Sequence, residues 1–164
     1  MKMNKIKYLV PLILAVGLCC NLLGQTEQPK IVIQKWVDPS KEIPISISGF
    51  TGEVAAALKF DLEVMGCKVV SPEQASYSIE GSNEGNVQGR LFIAQTKNQL
   101  LGKAYSGGTL RDQTHTFADD IIFALTGVKG IAQTKIAFKV DLGSTSEIFI
   151  SDYDGFNPIQ VTHD

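Results

Sequence analysis

At Gly52 the hydrophobic period of this sequence changes, and that change limits the folds open to it. Before Gly52, Ile43, Ile45 and Ile47 alternate with Pro44, Ser46 and Ser48 in a run reaching Phe50, the pattern of a strand with one buried and one wet face. After it, Val54, Ala57, Leu58, Leu62 and Met65 recur at spacings of three and four. Glu53, Lys59, Asp61 and Glu63 are expected on the other faces of this amphipathic helix, which ends near Gly66. Cys67 to Val70 is strand-like again and stops at Ser71-Pro72. A chain that moves from period two to period 3.6 and back needs a sheet with helices packed on it.

The rest of the chain extends this pattern. Ser76 to Gly81 and Val87 to Thr96 read as a hairpin across the turn formers Ser82-Asn83-Glu84-Gly85-Asn86, and Gln99 to Tyr105 supplies a third partner after Lys97-Asn98. Gly107-Gly108 breaks the sheet. Thr109 is then placed to cap a second helix, with Asp112 near its positive end and Gly127 terminating it. The expected buried face is Leu110, Phe117, Ala118, Ile121, Ile122 and Leu125, with Asp119 and Asp120 assigned to solvent. Beyond Gly130 the pattern is purely β: Lys135 to Val140, Glu147 to Ser151, a turn at Asp152-Tyr153-Asp154-Gly155, and Pro158 to Val161. Such a ribbon cannot bury its own face, so it either packs on the α/β domain or begins something larger.

The first 24 residues read differently. Lys2, Lys5 and Lys7 precede an apolar run from Leu9 to Leu18, followed by Asn21 and Leu22-Leu23-Gly24. This is the pattern of a secretory signal peptide cleaved near Gly24, and the run is shorter than a spanning helix requires. Lipid anchoring at Cys19 or Cys20 is not expected, because Leu18 and Cys19 precede them where a small residue is wanted. No stable membrane insertion is expected after cleavage.

Three of the 15 basic and none of the 17 acidic side chains lie in that leader, so the remainder carries 12 against 17. An acidic balance argues against nucleic-acid binding and against generic attraction to anionic lipid. Only Cys67 remains after cleavage, which excludes an internal disulfide, and its place between Met65 and Val69 suits burial. Reactive constellations are lacking. Asp119 and Asp120 point about 100° apart on a helix. His115 has no second histidine at a ligating spacing and is expected to be hydrogen-bonded near the helix start. Asp152-Tyr153-Asp154-Gly155 begins like a calcium loop but has His163 at the twelfth position, and Gly102 to Gly108 lacks a phosphate-cradling pattern. No catalytic residue, cofactor or metal is expected.

Particular residues resemble a known family. His115-Thr116-Phe117-Ala118-Asp119-Asp120-Ile121-Ile122-Phe123 with Leu125-Thr126-Gly127-Val128-Lys129-Gly130 resembles the TolB pattern of a helix carrying H-T-x-[AS]-D and ending in L-T-G-[IV]-x-G. Thr134-Lys135-Ile136-Ala137-Phe138 is similar to the family's T-[RK]-I-A-[FY] strand, and Ser151-Asp152-Tyr153-Asp154-Gly155-Phe156-Asn157-Pro158 to its S-D-Y-D-G-[YF]-N turn. A fainter likeness covers Lys30 to Pro44. The resemblance implies an α/β unit with a mixed sheet and two packed helices, followed in the family by a six-bladed β-propeller. It implies a periplasmic place in the Tol-Pal system, which maintains the outer membrane and supports cell division. A TolA-like protein engages the family's N-terminal segment, and a Pal-like lipoprotein engages the propeller.

These readings divide the chain into a leader at 1–24, an α/β domain at 25–130, and a C-terminal β-hairpin at 131–164 that resembles an incomplete propeller start. The expected function is that of a non-catalytic, protein-binding adaptor. The alternatives are the non-catalytic head of a truncated propeller-containing hydrolase and a stand-alone small envelope domain. The contact with a TolA-like partner falls on Lys30, Ile31, Val32, Ile33, Val37 and Asp38, by strand addition to the partner's sheet edge. The same segment also reads as an ordinary strand of this domain's own sheet. A Pal-like partner is expected only where a propeller is present.

Overall fold

The computed structural model describes residues 41–163. The leader, Cys19, Cys20 and the proposed partner-binding residues Lys30, Ile31, Val32, Ile33, Val37 and Asp38 lie outside the described residues. The strand and helix order matches the periods of the sequence. Strand β1 (Ile43–Ser48) leads into helix α1 (Gly52–Val64) and strand β2 (Cys67–Val69). Strands β3 (Tyr77–Ser82), β4 (Gln88–Ile93) and β5 (Gln99–Ala104) come next, then helix α2 (Leu110–Thr126). Strands β6 (Lys135–Asp141), β7 (Ser146–Asp152) and β8 (Ile159–Gln160) complete the series.

The first five strands form a mixed sheet in the order β2-β1-β3-β4-β5. β1 pairs in parallel with β2 and β3, which requires a crossover, and α1 supplies the one from β1 to β2. β3, β4 and β5 are antiparallel, as short connections permit. Register lines Ile47, Ile79, Leu91 and Leu101 up in one row across four strands. That row meets Leu58 and Leu62 of α1 and Phe117 and Ile121 of α2 in one core. Leu58, Leu62, Ile79, Leu91, Phe117 and Ile121 are fully buried, at about 1.5–3 kcal/mol of hydrophobic stabilisation each. Cys67 is buried beneath this layer, and burial pushes its thiol up to about 11, so it stays protonated at neutral pH.

Helix α2 is bounded as its sequence indicates. The Thr109 hydroxyl accepts from the Asp112 backbone N–H at 3.1 Å, and the Asp112 carboxylate accepts from the Thr109 N–H at 2.8 Å. Gly127 closes the other end at φ 76°, the left-handed conformation in which glycine has no Cβ to clash.

The last three strands form a separate antiparallel sheet, β6-β7-β8, so the expected hairpin gains a third strand within the Pro158 to Val161 segment that read as β. The third strand is only two residues long, and Pro158 precedes it. Two sequence expectations are overturned within the helices. Asp61 is fully buried instead of facing outward, and Asp119 is 4% exposed instead of solvated. Both have partners that lie far along the chain, and these partners make the candidate site.

Candidate functional site

The site grows from two helical rows. On α1, Val54, Leu58, Asp61 and Leu62 share the buried stripe, so Asp61 enters the interior by its spacing alone. On α2, Arg111, His115 and Asp119 lie four residues apart and border the apolar face. α1 and α2 pack side by side, which brings Asp61 against His115, and the turn after β7 carries Tyr153 and Asp154 onto the same spot.

His115 is held between two carboxylates. Its Nδ1 lies 2.8 Å from Oδ2 of Asp61, and its Nε2 lies 3.4 Å from Oδ2 of Asp154. The other Asp61 oxygen accepts from the Tyr153 hydroxyl. Arg111 spans Asp154 and Glu53, with 2.8 Å between its Nη1 and Glu53 Oε1. The Arg111 guanidinium also lies 3.4 Å from the Phe156 ring centre, a cation–π contact. The Asp61 and Asp154 side chains are at most 2% exposed, so each is a buried charge that its partners must compensate.

Several ionisations are displaced by this packing. Burial alone would lower the His115 pKa. The Asp61 hydrogen bond and the charges of Asp61 and Asp154 outweigh that and the opposing Arg111, and the net shift is upward. Burial and the bond to Asp61 hold the Tyr153 hydroxyl far above the ordinary tyrosine range. Lys135, hydrogen-bonded to Asp152, keeps that carboxyl below the usual range, with Asn157 adding a second bond at 2.7 Å.

A second knot lies one turn along α2. The Asp119 carboxylate accepts from the Ala132 N–H at 2.8 Å and from Gln133 Nε2 at 3.0 Å, which fixes the chain leaving the helix. A Cβ at Gly130 would stand 2.2 Å from Asp119 Oδ1, so only glycine passes there. Asp120 instead takes Lys103 and the Tyr105 hydroxyl, each at 2.8 Å. The two carboxylates therefore diverge, as their helical spacing requires, and each has its own partners.

The arrangement joins elements. Asp61, His115 and Asp154 lie close enough together to invite comparison with a metal site. Asp61 and Asp154, however, face opposite nitrogens of one ring, whose lone pairs diverge, and Tyr153 and Arg111 already occupy the carboxylates. The donor set therefore does not converge on a shared cation. No Ser, Thr or Cys nucleophile is hydrogen-bonded to His115 among the described residues. His115 is hydrogen-bonded, as its sequence setting indicated, and its partner lies 54 residues away on α1. Asp154, which read as a plain turn residue, is the anion that receives Arg111. The signal missed in the sequence was the charge inside an apolar stripe at Asp61.

Fold and site together define a class: a mixed α/β protein whose two helices are tied by a part-buried hydrogen bond and ion pairs to an antiparallel sheet. No protein-family model matches the chain. It is 38% identical over 91 residues to the Tol-Pal system protein TolB of Geobacter metallireducens, covering 54% of this chain and 21% of that protein. The TolB of Nitrosomonas europaea is 28% identical over 168 residues, covering 82% of this chain and 40% of that one. The TolB of Pasteurella multocida is 34% identical over 123 residues, covering 72% and 27%. In fold, the crystal structure of TolB from Acinetobacter baumannii matches with a TM-score of 0.65 at 19% identity, over 74% of this chain and 39% of that one. Over the part compared, this chain is TolB-like, and it spans about one-fifth to two-fifths of these relatives' length. Among the described residues, no helix is long and apolar enough to cross a membrane.

Proposed function

We propose that this chain acts in the periplasm as a non-catalytic, protein-binding component of a Tol-Pal system. The observation that carries the reading is the 38% identity over 91 residues to a protein named for that system. The leader-like first 24 residues support export. The ionisable groups of the candidate site also support it, because they are committed to one another in a buried joint.

The β6–β8 sheet reads as the opening strands of a β-propeller. Register puts Ile136, Phe138 and Phe149 on one face and Ile148, Ile150 and Ile159 on the other. Ile136, Ile148, Ile150 and Ile159 are each more than a third exposed. Apolar side chains on both faces suit a blade covered on each side by neighbours. Lys30, Ile31, Val32, Ile33, Val37 and Asp38 are the proposed contact for a TolA-like partner, through main-chain pairing with its sheet edge. A Pal-like partner would bind only where a propeller follows.

Direct binding tests this reading. The chain is expected to retain a TolA-like protein from envelope extracts, and Ile31→Asp with Ile33→Asp should weaken that binding roughly tenfold or more. Recovery of neither Tol nor Pal components counts against the assignment.

A further inference from the structure

The two ring nitrogens of His115 serve different elements. Nδ1 lies 2.8 Å from Asp61 on α1, whereas Nε2 faces Asp154 in the β7–β8 turn at 3.4 Å. Asp61 accepts from both the ring and the Tyr153 hydroxyl, so Nδ1 keeps its proton whether the ring is neutral or charged. In the neutral ring, Nε2 presents a lone pair to a buried carboxylate, and it is a buried atom without a hydrogen-bond partner. Adding a proton there creates an N–H donor aimed at Asp154.

We propose that His115 is a proton-operated latch, in which the Nε2 proton fastens the Asp154 turn to α2 while the Nδ1 bond to Asp61 persists in both states. The latch is independent of the partner binding proposed above. The charged surroundings favour the closed form. Asp61 faces the ring from α1, and Asp152 and Asp154 face it from the turn beside the neutral Tyr153. On α2 itself, Asp112 favours the imidazolium and Arg111 opposes it. The group's native pKa is raised, so its stabilisation is complete below the ordinary histidine value and is lost as pH rises through the native one. The turn is therefore held more tightly in mild acid and loosened toward alkaline pH, where Arg111 and Tyr153 still retain it.

NMR on the intact chain from about pH 5 to about pH 9 reads this directly. The ring C–H signals report His115, with His163 as the internal comparison. The Asp152, Tyr153 and Gly155 amides, bonded to the Phe156, Thr134 and Asp152 carbonyls, report the turn. After correction for intrinsic exchange, their protection should fall about threefold or more as His115 deprotonates. His115→Asn can still donate to Asp61 but has nothing at the Nε2 position, so it should stay at the low, alkaline level throughout. Asp154→Asn, a milder change that keeps an acceptor oxygen but no charge, should lower the His115 midpoint and weaken the pH dependence. Flat protection across the wild-type titration, a persisting pH dependence in His115→Asn, or an unmoved midpoint in Asp154→Asn would each overturn the latch.

Discussion

Asp61 is the residue on which the joint is centred. It is fully buried and serves both the His115 ring and the Tyr153 hydroxyl. Asp61→Ala would leave an imidazole and a phenol without their acceptor, a change expected to cost about 3–5 kcal/mol in urea unfolding. A loss under about 1 kcal/mol would show that water replaces the carboxylate. The signal for this burial stood in the sequence, because Asp61 falls three residues after Leu58 and seven after Val54. A charged side chain among Lys59 and Glu63 reads as solvated, however, and nothing local identifies a partner 54 or 92 residues away. Asp119 misled similarly, its partners lying 13 and 14 residues on, beyond the end of its own helix. Its burial becomes intelligible through Gly130, where an added Cβ would stand 2.2 Å from Oδ1 and 2.9 Å from the Asp119 Cα. Gly130→Ala should therefore cost about 1–3 kcal/mol by overpacking. Asp119→Ala in the same background should recover part of that loss.

Elements are where the sequence was most legible, because caps and periods are local. Thr109, Asp112 and Gly127 bound α2 as read, and the alternation of Ile43, Ile45 and Ile47 gives β1 its buried face. The meander at the end was harder to read, since a two-residue β8 carries almost no period of its own. The cap of α2 has a testable acid response. The backbone N–H and hydroxyl of Thr109 hold the Asp112 carboxyl below its ordinary range. Stabilisation from a lowered carboxyl is present above the unfolded value near 3.9 and is lost as pH falls through the native one. Thr109→Ala should cost about 1 kcal/mol near neutrality. Below about pH 4 its amides in the first turn of α2 should lose less protection than those of wild type. An equally steep acid loss in the variant would assign the response to the backbone N–H of residue 109, which alanine keeps, or to other carboxylates.

At the scale of the whole molecule, the question is whether the β6–β8 sheet unfolds together with the α/β part. The Tyr153 N–H bonds the Thr134 carbonyl at 3.1 Å, which ties the turn only to the start of its own sheet. Among the described residues, the polar cross-connections from the turn to the helices include Tyr153 to Asp61, His115 to Asp154, and Arg111 to Asp154. Arg111 is the one of these whose own charge does not titrate near neutrality, and it joins a buried carboxylate and also stacks on Phe156. Its other partner, Glu53, is 63% exposed, so Glu53→Ala should change stability by less than about 1 kcal/mol. Arg111→Met keeps the aliphatic stem but leaves Asp154 uncompensated, and a loss of about 3–5 kcal/mol is expected. Removing Arg111 also removes the charge that opposes His115, so the His115 midpoint should rise in the same variant. Amide exchange then decides how the loss is distributed. If the ion pairs couple the two sheets, the amides of β6, β7 and α2 should open together in wild type, and in Arg111→Met those of β6 and β7 should open at free energies below those of α2. A variant that is less stable yet still opens as one unit would move the coupling to the apolar and Asp61–Tyr153 contacts. The ion pair would then serve to position the turn and would not be what binds the two sheets into one cooperative structure.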